Sequence, residues 1–357
     1  MIKLPRNVII VLAVVLIALV ALTFYLQYNA GQSGGPWTAT TPYPLSTGGT
    51  PGVLGQSCVT ASATVYCVGG EDVSNSPRDS VYYASLSPSG IGNWTLDQYS
   101  YPQPIMFASC VTYSGYVYCV GGTHTSTGND TSSSYFAPVQ AYGLGNWTAT
   151  SPYPIQTDSQ SCVTATGSIF CIGGENETAG SGSSATDSIS VWYASLSDSG
   201  IGVWARTTAY PGVFFPSCSA LGGYVYCVGG QTSSGTPVSS SYYAPVSPYG
   251  LGQWAASSTY PADTIAQSCA VASTTLYCVG GLVTGGSSTN SVYYAGLSPS
   301  GVGSWQQGGS YPMGLATQCV ASSGYVYCIG GYDPSAGPTP DSFYAPAVSA
   351  TASSSTG

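Results

Sequence analysis

The sequence predicts an all-β fold in which six four-stranded units close on themselves as a ring, preceded by an N-terminal transmembrane helix. Three observations predict it. First, one line is written six times: a serine or glutamine, a cysteine, eight residues, a second cysteine, a hydrophobe and two glycines. The copies span 58–70, 110–122, 162–174, 218–230, 269–281 and 319–331, so first cysteines recur at intervals of 52, 52, 56, 51 and 50 residues. A period near 50 is that of a supersecondary unit stacked on its neighbours. Second, the segment 37–44 at the front nearly duplicates 147–154 in the middle. Third, residues 8–26 are 19 uncharged, mostly aliphatic positions.

Within a copy, the ten residues from cysteine to cysteine read as a hairpin. In 110–119 the midpoint falls on Ser114 and Gly115, and four of the six copies place glycine at the second turn position. Two-residue turns of this kind close antiparallel hairpins. Counting outward from the closing pair Tyr113 and Tyr116, the ladder alternates, and Cys110 comes to lie opposite Cys119 at a non-hydrogen-bonded position. Cα atoms there are about 4.5 Å apart, within reach of a disulfide. The same arithmetic pairs Cys58 with Cys67, Cys162 with Cys171, Cys218 with Cys227, Cys269 with Cys278 and Cys319 with Cys328. Each bridge closes a short loop and adds at most about 2 to 3 kcal/mol on the chain-entropy model. Locking the register against slippage is the larger effect.

After the paired glycines comes a polar stretch of variable length, a strand such as 81–86, a glycine-containing turn, and a last strand opening at Trp94. A Tyr-Pro pair, as at Tyr101 and Pro102, then ends it, because proline cannot donate to a ladder. The hydrophobic strand ending in Gly69 and Gly70, the tyrosine at Tyr82 or Tyr83, and Trp94 beyond it have counterparts in the later copies. On these residues the chain, from about Trp37 to Tyr344, resembles the kelch-repeat family of β-propellers. The resemblance implies six kelch-like blades, to which this chain adds one cysteine pair each. Kelch-like propellers include oxidases and sugar-processing enzymes, so the resemblance also implies a central pocket of tyrosines with a few acids as an alternative, catalytic reading.

The sixth copy has no tryptophan after its third strand, whereas one stands at the front. Residues 37–44 are therefore expected to supply the outer strand of the last blade, closing the ring. Third strands alternate between an Ala-Ser/Gly-Leu type (Ala84, Ala194, Ala295) and an Ala-Pro type (Ala137, Ala244, Ala345), which points to a two-blade unit repeated three times.

The apolar run is about 28 Å of helix, long enough to cross a bilayer. The expected organisation is a cytoplasmic N-terminus 1–7, a signal anchor 8–27, a tether 28–36, the propeller 37–346 and a disordered tail 347–357. Lys3 and Arg6 on the short side keep the start of the chain inside. The export that follows suits disulfide formation. Acceptor triplets at Asn93, Asn129, Asn146 and Asn176 are compatible with glycosylation outside the cell.

Composition narrows the function. Only 5% of residues are charged, and beyond the anchor Arg78 and Arg206 face all 13 acids, about −11 at neutral pH. Nucleic acid is excluded as a partner, since phosphate contacts need clustered cations. One histidine, His124, and no CxxC spacing argue against a metal site, and no cofactor is expected. No catalytic constellation is present either. The expected job is binding of an extracellular protein or glycan, with a structural surface role as a further alternative. The candidate ligand face is the end of the disc carrying the loops after second and fourth strands. Its residues are Glu71, Asp72, Asp130, Glu175, Glu177 and Asp333, with the apolar loop tips Met106, Phe107, Phe214 and Phe215.

Overall fold

The computed structural model describes residues 36–44, 54–71, 76–124, 129–175, 189–212, 214–232, 234–314, 318–333 and 337–348. The expected anchor, most of the tether, Asp72, Glu177 and Asn176 lie outside them. Among the described residues no helix is long and apolar enough to cross a membrane.

The protein is a six-bladed β-propeller. In the first blade Ser57–Ala61 pairs with Thr64–Val68, which pairs with Val81–Ser87, whose outer edge takes the short strands Gly90–Ile91 and Thr95–Leu96, all antiparallel. The other blades repeat this order. The hairpin turn needs positive φ: its first residue has φ between 46° and 58° in all six blades, and the glycines at its second position have φ near 80°. This is the backbone twist that matches paired strands. The register puts each first cysteine opposite its second, for example Cys110 opposite Cys119. All six disulfides form, with Cα atoms 4.0–4.1 Å apart.

Ring closure follows the expected route. Thr38–Thr40 pairs antiparallel with Gly337–Pro346, Thr38 opposite Tyr344, so the front of the chain is the outer strand of blade six. The expected tail begins later than residue 347, because Ala347 donates to the Gly324 carbonyl at 2.8 Å and Val348 is bonded to the Tyr277 hydroxyl.

A blade is a twisted sheet with two apolar faces, and it buries both only against its neighbours. The core is accordingly six clusters, one per seam; Val59, Tyr66 and Val81 of blade one, for instance, pack on Cys110, Val117 and Leu144 of blade two. At the outer end of every seam a tryptophan meets the tyrosine that ends the preceding blade edge-on. The pairs are Tyr43–Trp94, Tyr101–Trp147, Tyr153–Trp204, Tyr210–Trp254, Tyr260–Trp305 and Tyr311–Trp37, all with centroids 4.9–5.0 Å apart. Trp37 thus does for the sixth blade what the other tryptophans do for theirs. Its Nε1 donates to the Gly309 carbonyl at 3.2 Å.

The paired glycines serve the seam as well. Gly229 has φ +66°, and a Cβ there would lie 2.1 Å from Gln267 Nε2 and 2.8 Å from the Thr264 carbonyl of the next blade. No other residue lets that strap approach so closely.

Two outcomes are expected. Trp37→Ala removes the edge contact that the returning strand makes with Tyr311 and, the ring being half-buried, lowers unfolding free energy by about 2 kcal/mol; a denaturant midpoint equal to wild type would contradict the closure. Alkaline stability is set by tyrosines. Burial pushes the hydroxyls of Tyr118, Tyr226, Tyr277 and Tyr327 up to about 12, and burial raises the six seam tyrosines further. Below pH 10 these groups are neutral in both states; above it only the unfolded chain ionises freely. Stability is therefore held up to about pH 10 and lost as pH rises through 12, measurable as a falling melting temperature.

Candidate functional site

First strands face the axis, and at the end where they begin they enclose a cavity of about 500 Å³. Its wall is a repeated motif. The residue before each first cysteine is Ser57, Ser109, Ser161, Ser217, Ser268 or Gln318, and all six line the cavity with the cysteines themselves. An inner strand has a free edge whose N–H groups need partners. Here the cysteine N–H of each blade donates to the serine hydroxyl of the blade before: Cys110 to Ser57 at 2.9 Å, Cys162 to Ser109 at 2.9 Å, Cys218 to Ser161 at 3.0 Å, Cys269 to Ser217 at 3.1 Å and Cys319 to Ser268 at 2.7 Å. Each serine uses its oxygen as acceptor in this ring and keeps one O–H to give. Gln318 breaks the pattern at the sixth seam.

One position further out, blades alternate. Gln56, Gln160 and Gln267 of the odd blades donate from Nε2 to the carbonyls of Ile329, Val120 and Val228 in the preceding even blade, at 3.0, 2.6 and 2.7 Å. Even blades hold Ala108 and Pro216 there.

In the first five blades the mouth of the cavity is made by a residue of positive φ in the segment leading into the first strand: Gly55, Phe107, Ser159, Phe215 and Ala266, with φ from 53° to 72°. Phe107 leans over the preceding blade's segment, so close that a Cβ on Gly55 would meet its ring at 2.8 Å.

The expected ligand face divides accordingly. Phe107 and Phe215 reach the axial mouth, while Phe214 stands behind it, backbone-paired to Gln231. Met106, Glu71 and Asp130 are buried rather than displayed. Met106 and Glu71 are fixed by backbone pairing to Thr123 and Leu54. Glu175 is half-buried and its backbone pairs with that of Asp158; Asp333 ends the strand Tyr325–Asp333 opposite Gly337. Asn93, Asn129 and Asn146 are exposed.

The structure brings two acids together that the sequence had not joined. Asp130 Oδ1 lies 3.0 Å and Asp158 Oδ2 2.9 Å from the single hydroxyl of Thr123, at the seam between blades two and three, with the acids 1% and 8% exposed. One hydroxyl proton serves only one carboxylate at a time. This pair lies off the axis: among the described residues the cavity wall contains no carboxylate, histidine or tyrosine. The central pocket of tyrosines and acids implied by the resemblance is therefore corrected; the tyrosines lie in the seams between blades. The described residues hold no group of three or more metal-ligating side chains, and no cysteine is free.

Fold and site together define a disulfide-braced propeller whose open axial well is lined, among the described residues, by uncharged side chains. No family model matches the sequence, and no curated protein matches it. Solved structures do match in fold: one titled "Structure of YjhT" superimposes with a TM-score of 0.66 at 15% identity, covering 84% of this chain and 95% of that one. At that identity the likeness speaks for the fold alone.

Thr123→Val leaves Asp130 and Asp158 facing each other without the shared hydroxyl, and is expected to cost about 1 to 3 kcal/mol in urea unfolding at pH 7. An unchanged midpoint would mean that this hydroxyl contributes nothing to the seam.

Proposed function

We propose that the protein is a membrane-anchored, kelch-like propeller displayed outside the cell, which binds a neutral glycan at its axial well and leaves it chemically unchanged. The observation that carries the reading is the wall of the well. Five serine hydroxyls with donors to spare, the Gln318 amide and two phenylalanines at the mouth form an uncharged, partly apolar lining. Sugars present hydroxyls to such donors and C–H faces to such rings, and pockets of 300–1,000 Å³ with a few convergent polar groups are typical of small-ligand sites. General acid–base work on a glycoside needs a pair of carboxyl groups flanking the bond, and the described wall supplies none. Binding without turnover fits this better than the oxidase or glycosidase alternative.

The test is calorimetric titration of the full chain against a panel of neutral oligosaccharides, with NMR of the recovered ligand. A neutral sugar is expected to bind and return unaltered. Ser161→Ala and Phe215→Ala are each expected to weaken it about 2- to 10-fold, the worth of one neutral hydrogen bond or a stacked ring. Binding only of proteins, or conversion of the sugar, would refute the reading.

A further inference from the structure

The two faces of the disc differ in kind. Of the ten acids among the described residues, only Asp198 is exposed on the face made by the first-to-second and third-to-fourth turns; Asp97, 6% exposed, is buried behind the blade-two turn, where it accepts from the Leu144 N–H. That face is otherwise serine, threonine, glycine, proline and tyrosine, and it carries two of the most exposed large side chains of the molecule. These are Tyr142 and Tyr249, 83% and 87% exposed, at equivalent turns of blades two and four. Half-buried Tyr113, Tyr116, Tyr224 and Tyr325 flank its inner turns. The other eight described acids lie toward the opposite, axial-mouth face.

The register of the closing strand shows where the chain arrives. Pro346 pairs with Tyr325 beside the inner turn of blade six, and antiparallel Thr38 lies opposite Tyr344, two residues from that end. The described chain therefore begins, at Pro36, toward the tyrosine face. The nine residues 28–36 reach about 30 Å when fully extended, and the apolar run 8–27 precedes them.

We infer that the neutral, tyrosine-bearing face of the propeller rests on the lipid headgroup layer, with Tyr142 and Tyr249 as contacts and the axial mouth turned away from the membrane. This rests on the anchored reading above and adds an orientation to it. Tyrosine suits the site, since its ring is apolar and its hydroxyl stays wet, and it is enriched at membrane–water interfaces. A face with one exposed acid meets headgroups with little charge to desolvate. The acidic face is the one an anionic membrane would repel.

The experiment uses the full chain in phosphatidylcholine vesicles with bromine on the upper acyl carbons. Tyr142→Trp and Tyr249→Trp each add one emitter on the inferred contact face, and Phe214→Trp adds one on the other. Emission added by the first two is expected to be quenched at least twofold, and that of the third to be unaffected. Equal quenching of all three, or none at Tyr142→Trp and Tyr249→Trp in a chain that floats with the vesicles, overturns the orientation alone. A chain that fails to float overturns the anchored reading with it. Shielding of the two added tryptophans from iodide in lipid-free detergent, rising with protein concentration, would assign the face to a second copy and overturn the lipid contact.

Discussion

Everything in this molecule depends on the fact that a twisted four-stranded blade has two apolar faces and no means of covering either by itself. Five seams can be made by laying blades in sequence; the sixth exists only if the front of the chain returns to the end. Pairing of Thr38–Thr40 with Gly337–Pro346 makes that return; Tyr43 of the returning segment then meets Trp94 of blade one edge-on across the closing seam, as Trp37 meets Tyr311 across the seam with blade five. The axial well, with its serines drawn from successive blades, is a consequence of the same closure. Five serine-to-cysteine bonds link the blades in sequence, and at the closing seam Gln318 takes the place of the sixth serine on the wall of the well.

The seams are of two kinds, which gives the alternating sequence pattern a physical basis. From each even blade a second-strand tyrosine reaches into the following odd blade: Tyr118 to the Ser197 carbonyl, Tyr226 to Ser298 and Tyr327 to Ser87, at 2.7–2.8 Å. The glutamines of odd blades answer across the same seams. Even-to-odd seams are thus bonded twice by long polar side chains. At the odd-to-even seams no glutamine takes part. The structural unit is a pair of blades, and the join between first and last strands falls inside blade six rather than between pairs.

Much of the fold was legible because it is local and periodic. A hairpin of fixed length sets its own register, so the six disulfides could be placed by counting, and the orphan tryptophan at the front identified its partner by sequence likeness. What could not be read were contacts between blades. The serine before each cysteine was visible in all but the last copy, yet nothing in one repeat says that its acceptor belongs to the next repeat's N–H. Asp97 gave no signal at all; it accepts from the Leu144 N–H at 2.6 Å, a clasp made elsewhere by Thr40, Thr150, Thr207 and Ser257. The burial of Glu71 and Asp130 was illegible, because a loop folded back by backbone pairing reads in sequence like a loop in water.

Amide hydrogen exchange across the third strands is the most direct measure of closure. A closed ring predicts that the paired amides of Ser342 to Ala345 in blade six exchange as slowly as those of Val81 to Ser85 and Val191 to Ser195. Rapid exchange confined to blade six, with the other five blades protected, would show an open arc and contradict the account.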